Sequence, residues 1–390
     1  MPLDQVTKQA RRAGRRLVGR TAKDPAGWRA QALQIDREIT AKLMQPAPPG
    51  VTVEDRQVPV PGRGHVRVRL YLPQTPPPHD AAPAGPNAAP APGSGGKAPS
   101  GAVGDHAAGG PNAATPPGSA GKGPNGAVWD QGAQTPGPTP AGGAGAGRRG
   151  AILAFFGGAF RQGGVDHPSV DIFNRTRAHD AGIIVAAVDY ALAPEHTYPE
   201  ALEQGYAALE WLGGGADGIG LRVDRLGIEG QSSGANLAAG VALMSRDRGG
   251  PALAFQLLEV PTLDLTGGHL SRADAWKIGA PPFLVARGLR ALVRDYLGDS
   301  SLATQPYASP LLAPDLSGLP PAHIAIAEYD LLRGDGEAYA ARLAAAGIEV
   351  KLEQFARLGH ESLLYTAALE PARRWQADVT ELLRTLRSDT

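Results

Sequence analysis

A chain of 390 residues with 42% hydrophobic side chains is long enough for one large α/β domain with additions, or for two domains of average size. Its 38 Lys and Arg balance 38 Asp and Glu, so no global field recruits nucleic acid or an acidic membrane surface, and a small neutral partner is expected. The absence of cysteine excludes disulfides, thiolate zinc sites and a thiol nucleophile, leaving any catalysis to oxygen and nitrogen side chains.

In chain order, residues 1 to 50 read as helical and are expected to form an N-terminal cap segment. Arg11, Arg12, Arg15, Arg16 and Arg20 mark a solvated basic helix face. No apolar h-region follows them and no uninterrupted apolar stretch approaches the length of a membrane span, so a cytoplasmic protein without stable membrane insertion is expected. Val51 to Val60 and Val66 to Leu72 are strand-like, the second alternating apolar with charged as a half-exposed strand does. Residues 75 to 150 form an insert. From 81 to 150, 19 Gly and 12 Pro among 70 positions leave too little apolar surface to offset the entropy of ordering, so a disordered loop is expected. Gly85-Pro86-Asn87-Ala88-Ala89 returns as residues 110 to 114 without an apolar face to stack, which reads as expansion of a linker rather than a solenoid.

After the insert the pattern changes to short, mostly apolar runs of the kind buried on both faces: Ala151 to Phe156, Ile183 to Val188, Leu226 to Glu229, Leu253 to Val260 and Ile324 to Ala327. Ile348 to Phe355 alternates with charged residues and suits a strand nearer the edge. Helical patterns fall between, at Pro199 to Leu212, Ala235 to Ser245, Gly336 to Ala345 and Leu363 to Leu386. The alternation predicts an α/β fold, a mostly parallel sheet of eight strands flanked by helices and opened by an antiparallel hairpin. Residues 266 to 300 do not alternate with strands and are expected to supply a second cap segment. Trp28, Leu33, Ile39, Leu43, Trp276, Phe283, Leu284 and Leu289 are candidates for an apolar wall over a site.

Gly230-Gln231-Ser232-Ser233-Gly234 lies between the apolar strand ending at Glu229 and a small-residue helix. A serine flanked by glycines at a sharp strand-to-helix turn is a nucleophile elbow, which points to acyl transfer through Ser232. A serine hydroxyl needs a base and an acid to orient that base. Of nine histidines, His79 and His106 fall in the insert, His65 and His323 precede strands at the wrong end of the sheet, and His196 follows Pro194-Glu195 in a turn. His167, His179 and His269 have no neighbouring motif. His360 lies just past the last strand, on the rim where the elbow emerges, and is the expected base. Asp330, past the preceding strand, is preferred over Asp264 as the acid because it gives the chain order Ser, Asp, His; Asp335 is expected to cap the helix that follows. Phe156-Gly157-Gly158-Ala159-Phe160 is small enough for close backbone approach, so the N–H groups of Gly158, Ala159 and Ser233 are the expected oxyanion donors.

These segments together resemble the bacterial hormone-sensitive-lipase-like esterases of the α/β-hydrolase superfamily. Val188-Asp189-Tyr190-Ala191-Leu192-Ala193-Pro194-Glu195-His196 is similar to that group's D-Y-x-L-A-P-E-H, Gly230 to Ala239 to its G-D-S-A-G-G-N-L-A, and Leu319 to Arg333 to its L-P-P-A…A-E-x-D-P-L-R-D. The resemblance implies an α/β-hydrolase domain over 51–74 and 151–390 under a helical cap, hydrolysing short- to medium-chain carboxylic esters as a serine carboxylesterase, without metal or organic cofactor. It leaves room for a homodimer. Where the group's oxyanion loop reads H-G-G-G-F/W, Phe156 replaces the histidine and Ala159 the third glycine, so weak or selective turnover is the expected consequence. A non-catalytic ligand-binding homologue and a related lactone or amide hydrolase are the alternative readings.

Overall fold

A computed structural model describes residues 24–74, 148–270 and 281–387. The arginine cluster at the start of the chain, the insert up to residue 147 and Trp276 lie outside the described residues.

Asp24 opens the first described helix, α1 (Pro25–Leu43), by accepting a hydrogen bond from Gly27 N at 2.8 Å, and Pro25 stands where a missing N–H costs nothing. The hairpin follows as β1 (Val51–Val60) and β2 (Gly64–Pro73), paired antiparallel along their whole length. Alternation sends Val66, Val68 and Leu70 into the core, while Arg67 and Arg69 meet Asp55, Asp166 and Asp189 on the opposite face.

The remaining strands are β3 (Arg149–Phe155), β4 (Ile184–Asp189), β5 (Leu221–Gln231), β6 (Phe255–Glu259), β7 (Ala322–Tyr329) and β8 (Val350–Gly359). The eight strands form one sheet in the order β1-β2-β4-β3-β5-β6-β7-β8. β2 runs antiparallel to β4, and every later neighbour is parallel. The helices connecting them are α2 (Pro168–Ala181), α3 (Glu200–Gly213), α4 (Ser233–Arg248), α5 (Pro282–Leu297), α6 (Arg333–Ala345) and α7 (Glu370–Arg384).

Both faces of the sheet are covered, which is why Ala151 to Phe155 can be buried without alternation. On one face α3, α4 and α6 bring Leu202, Leu237 and Leu343 against Leu153, Ile228 and Ile324. On the other, α2 and α7 bring Phe173, Trp375 and Leu383 against Ile152, Val185 and Leu257. Trp375 is fully buried and stacks on Phe355 with ring centroids 4.4 Å apart.

In its helices and cap the fold departs from the sequence reading in three places. Helix α2 was not among the expected helices, because Asn174 and Arg177 occupy its buried face and interrupt the apolar period. The helix expected from Leu363 to Leu386 is instead a short 3₁₀ turn, Ser362–Leu364, followed by α7, since Pro371 lacks the N–H needed for a helix interior and fits its first turn. Of the cap candidates, Leu43 belongs to the core below α1, while Phe283 and Leu284 stand 70% and 51% exposed. Among the described residues no helix is long and apolar enough to cross a membrane.

Candidate active site

The end of β5 and the start of α4 meet at Ser232, whose φ of 53° and ψ of −117° lie outside the regions that suit an L-residue. Glycine is required on both sides. A Cβ on Gly230 would stand 2.1 Å from the Gly234 oxygen, and one on Gly234 would stand 2.2 Å from the Phe155 oxygen. The neighbouring strand holds the bend, since Ser232 N donates to the Glu259 oxygen at 2.9 Å. Asn236, fully buried in the first turns of α4, donates from Nδ2 to the Thr262 and Ala308 oxygens, tying the helix start to the loop after β6.

His360, just past β8, brings its Nε2 within 2.8 Å of Ser232 Oγ. Its Nδ1 lies 2.8 Å from Asp330 Oδ2, past the end of β7. With the Nδ1–H donating to the buried carboxylate, Nε2 is left as an acceptor for the serine hydroxyl. Asp330 is 2% exposed, and its other oxygen accepts from Leu332 N at 2.9 Å, which fixes the carboxylate's direction. Burial depresses the His360 pKa, but the charge and hydrogen bond of Asp330 and the charge of Glu361 outweigh it, so the net shift is upward from the ordinary value.

The rival Asp264 faces elsewhere. Its Oδ2 lies 2.9 Å from His269 Nδ1, and its Oδ1 accepts from the Thr266 amide and hydroxyl. Burial alone would raise its pKa, yet the Thr266 and His269 contacts hold it below the ordinary carboxylate value. Asp335 does not cap α6. It sits inside the first turn and its Oδ2 accepts from the amides of Leu263 and Asp264, because those buried donors on the loop after β6 need a partner. Burial pushes its pKa up to about 7.

Gly158, Ala159 and Phe160, after β3, have successive φ values of 147°, 54° and 59°. For the two L-residues such a backbone costs of order 1–2 kcal/mol each and must be held by its surroundings. Phe160 is 1% exposed and stacks on Tyr296 at 3.7 Å, and its oxygen accepts from Ala193 N. Phe156 replaces the imidazole brace with a different one: its ring stacks on Tyr190 at 4.1 Å, and the Tyr190 hydroxyl donates to its carbonyl at 2.8 Å. Removing that hydroxyl in Tyr190→Phe should cost about 1–2 kcal/mol in thermal unfolding and lower kcat several-fold with little change in KM, because a buried carbonyl loses its donor and the loop loosens. Gly158 and Ala159 line the cavity beside Ser232. Ser233 is the first residue of α4, so its N–H belongs to the helix-start amides that have no acceptor within the helix.

That cavity, of about 300 Å³, runs from Ser232 and His360 beneath α1 and along α2. Of the expected wall residues it takes Ile39, joined by Ala32, Ile35 and Phe173. Arg29 straps α1 in place by donating to the Arg161 and Ala193 oxygens, both at 2.9 Å, and pairing with Glu195.

Sequence reasoning missed a charged cluster under the elbow. Arg177 of α2, 1% exposed, donates to Glu229 Oε2 at 2.5 Å and to Glu259 Oε2 at 2.7 Å, and lies over the Phe173 ring. The indole N–H of Trp375 donates to the other Glu259 oxygen at 2.6 Å. Burial raises the Glu229 pKa in spite of Arg177. The available signal was a glutamate at the end of each of two mostly apolar runs, Leu226 to Glu229 and Phe255 to Glu259.

A hydroxyl, an imidazole and a buried carboxylate in series at the carboxyl ends of a parallel sheet, beside a glycine turn and a helix start, define a hydrolase site of the nucleophile-elbow kind. The chain belongs to the alpha/beta hydrolase fold family, whose sequence model matches residues 152–364. Within that family it falls with the hormone-sensitive-lipase-like esterases its motifs resemble. It is 37% identical over 239 residues to the carboxylesterase NlhH of Mycobacterium tuberculosis, spanning 60% of this chain and 73% of that protein. The esterase LipI of the same organism is 38% identical over 57% of this chain and 68% of its own length. Among solved structures, the thermostable carboxylesterase EstE1, cloned from a metagenomic library, superposes with a TM-score of 0.67 at 26% identity, covering 94% of this chain and 98% of that one.

Proposed function

We propose that this protein is a serine carboxylesterase in which Ser232 attacks the ester carbonyl and His360 takes its proton. The observation that carries the reading is the pair of 2.8 Å contacts joining Ser232, His360 and Asp330. Asp330 holds the imidazole in the tautomer that presents Nε2 to the hydroxyl and stabilises the imidazolium formed on attack. The amides of Gly158, Ala159 and Ser233 serve as donors to the oxyanion of the tetrahedral intermediate. His360 then returns the proton to the leaving alcohol, and in the second half-reaction it activates the water that releases the acid. The substrates are small, short- to medium-chain carboxylic esters.

A fluorophosphonate probe tests the nucleophile: the expected result is a single adduct on Ser232 together with loss of p-nitrophenyl acetate hydrolysis. Turnover that survives labelling, or an adduct elsewhere, would overturn the assignment. The same experiment separates an enzyme from a ligand-binding homologue, which would bind without labelling.

The pH dependence has a definite sign. Neutral imidazole is the working form, and its pKa lies above the ordinary value of about 6.5, so the acid limb of kcat/KM should have its midpoint above 6.5 and fall about tenfold per unit below it. Stability responds in the opposite sense. The imidazolium beside Asp330 stabilises the fold fully below the unfolded value of about 6.5, and that contribution is lost as pH rises through the higher folded value.

The even charge balance supports a small neutral ester rather than nucleic acid as the partner. A homodimer and a cytoplasmic location belong to the same reading, and analytical ultracentrifugation and cell fractionation test them.

A further inference from the structure

We propose that the outer face of α5 is a peripheral contact surface for a bilayer rich in anionic phospholipid, which it binds reversibly through a row of arginines beside an exposed Phe-Leu pair. This inference goes beyond the ester-hydrolase reading above and does not depend on it.

One side of α5 packs inward: Val293, Tyr296 and Leu297 are buried, and Leu289 and Leu292 pack against the same core. The opposite side carries Phe283, Arg287, Arg290 and Arg294, all exposed and spaced to share one face about 16 Å long. Leu284 flanks the row at the end where Phe283 stands. Phe283 and Leu284 are the two most exposed large apolar side chains among the described residues, and they are adjacent. Isolated exposed apolar residues call for no explanation, but a pair continuous with a row of cations does.

The charges select the partner. Among the described residues none of these three arginines meets a carboxylate, and the one acid of α5, Asp295, lies off the row and is taken by Arg161 at 2.9 Å. Three uncompensated cations in a row attract phosphate groups, and the Phe-Leu pair at their end needs an apolar phase that a nucleic acid does not offer. A bilayer offers both, with headgroup phosphates at the surface and the acyl boundary just beneath. Further positive charge joins the chain close by: Arg11, Arg12, Arg15, Arg16 and Arg20 precede α1, whose Trp28 ring lies 5.3 Å from the guanidinium of that same Arg161. The chain as a whole is formally neutral, so the attraction is local to this patch and the contact is oriented and reversible rather than a general adhesion. At the other end of α5, Tyr296 stacks on Phe160, which sets the contact face beside the loop that borders the cavity.

The test sediments the full-length protein with vesicles of phosphatidylcholine alone and of phosphatidylcholine containing one-third phosphatidylglycerol. The expected result is a partition about tenfold or more stronger into the anionic vesicles, weakening as salt rises from about 0.1 M to about 0.5 M. Arg287→Gln, Arg290→Gln and Arg294→Gln together should lower that partition about tenfold or more, and Phe283→Ser with Leu284→Ser should lower it several-fold. These variants change only exposed side chains, so their urea midpoints should match the wild type. Removing three exposed arginines of α7 instead, by Arg373→Gln, Arg374→Gln and Arg384→Gln, should leave the partition near that of the wild type. Absence of binding, equal partition into both kinds of vesicle, or an equal loss in the α7 variant would overturn the proposal. So would anionic-vesicle binding untouched by the Phe283 and Leu284 substitutions, which would assign the row to a soluble polyanion, and self-association lost in that same variant, which would assign the face to a second copy of the chain.

Discussion

Ser232→Ala should lower kcat for p-nitrophenyl acetate and butyrate by roughly 10⁶-fold, to the residual rate that oxyanion donors and substrate binding sustain alone. The size follows from the geometry. His360 Nε2 has the Ser232 hydroxyl as its acceptor-side partner at 2.8 Å, so deleting the oxygen removes both the nucleophile and the proton the base exists to take. The effect should fall on the chemical step and spare the fold. The backbone strain at φ 53° is unchanged by the substitution, and Gly230 and Gly234 still allow the bend, so stability to urea should shift by less than about 1 kcal/mol. A variant that folds normally and retains the wild-type rate would place the nucleophile elsewhere. The sequence departures in the loop from Phe156 to Phe160 bear on the wild-type rate. Tyr190 and Tyr296 stack on Phe156 and Phe160 and hold the turn that an imidazole would otherwise brace, so replacement of the histidine does not by itself leave the loop unsupported.

Arg177→Leu should cost about 3–5 kcal/mol of stability, enough to move the urea midpoint well outside error. Arg177 is the counter-charge of two glutamates that are themselves 2% and 0% exposed, and leucine would leave both carboxylates buried without it. The loss should shrink as pH falls. Glu229 already has a raised pKa, chiefly from burial, and removing the guanidinium raises it further; the unfolded chain then releases its proton at lower pH than the folded one, so stability declines as pH rises and recovers on acidification. Replacing the whole cluster, with Arg177→Leu, Glu229→Ala and Glu259→Ile together, should restore most of the stability, because no charge is then left buried. Unchanged unfolding of the single variant would show that water reaches the cluster. Since Glu259 also accepts the Ser232 amide through its backbone, the cluster anchors β5 and β6 where Ser232 emerges, and its loss should loosen that junction.

Much of the fold is legible in the amino-acid pattern. The alternating charged residues of Val66 to Leu72 gave the antiparallel strand β2, and the short apolar runs after the insert gave the buried parallel strands, because a strand covered on both faces has no polar side to alternate with. Ser232 was legible because its glycines stand where a Cβ would strike backbone oxygen. His360 and Asp330 were reached from their positions at the ends of successive strands, which in a parallel sheet all open on one rim. Helix α2 was not legible, since its buried face carries the asparagine and arginine that line the cavity. Asp335 was misread because a carboxylate at a helix start most often caps it, and here amides from another loop compete for the same oxygen.

By itself, then, the sequence determined the order of the strands, the strained turn at Ser232 and the identity of the groups around it, all properties of local patterning and backbone sterics. Only the tertiary structure decided that Asp264 pairs with His269, that Asp335 turns to the amides of the loop after β6, and how Arg177 comes to lie between two glutamates under Ser232. Most of those contacts join elements far apart in the chain, and their geometry depends on sheet register and helix packing, which no local pattern encodes.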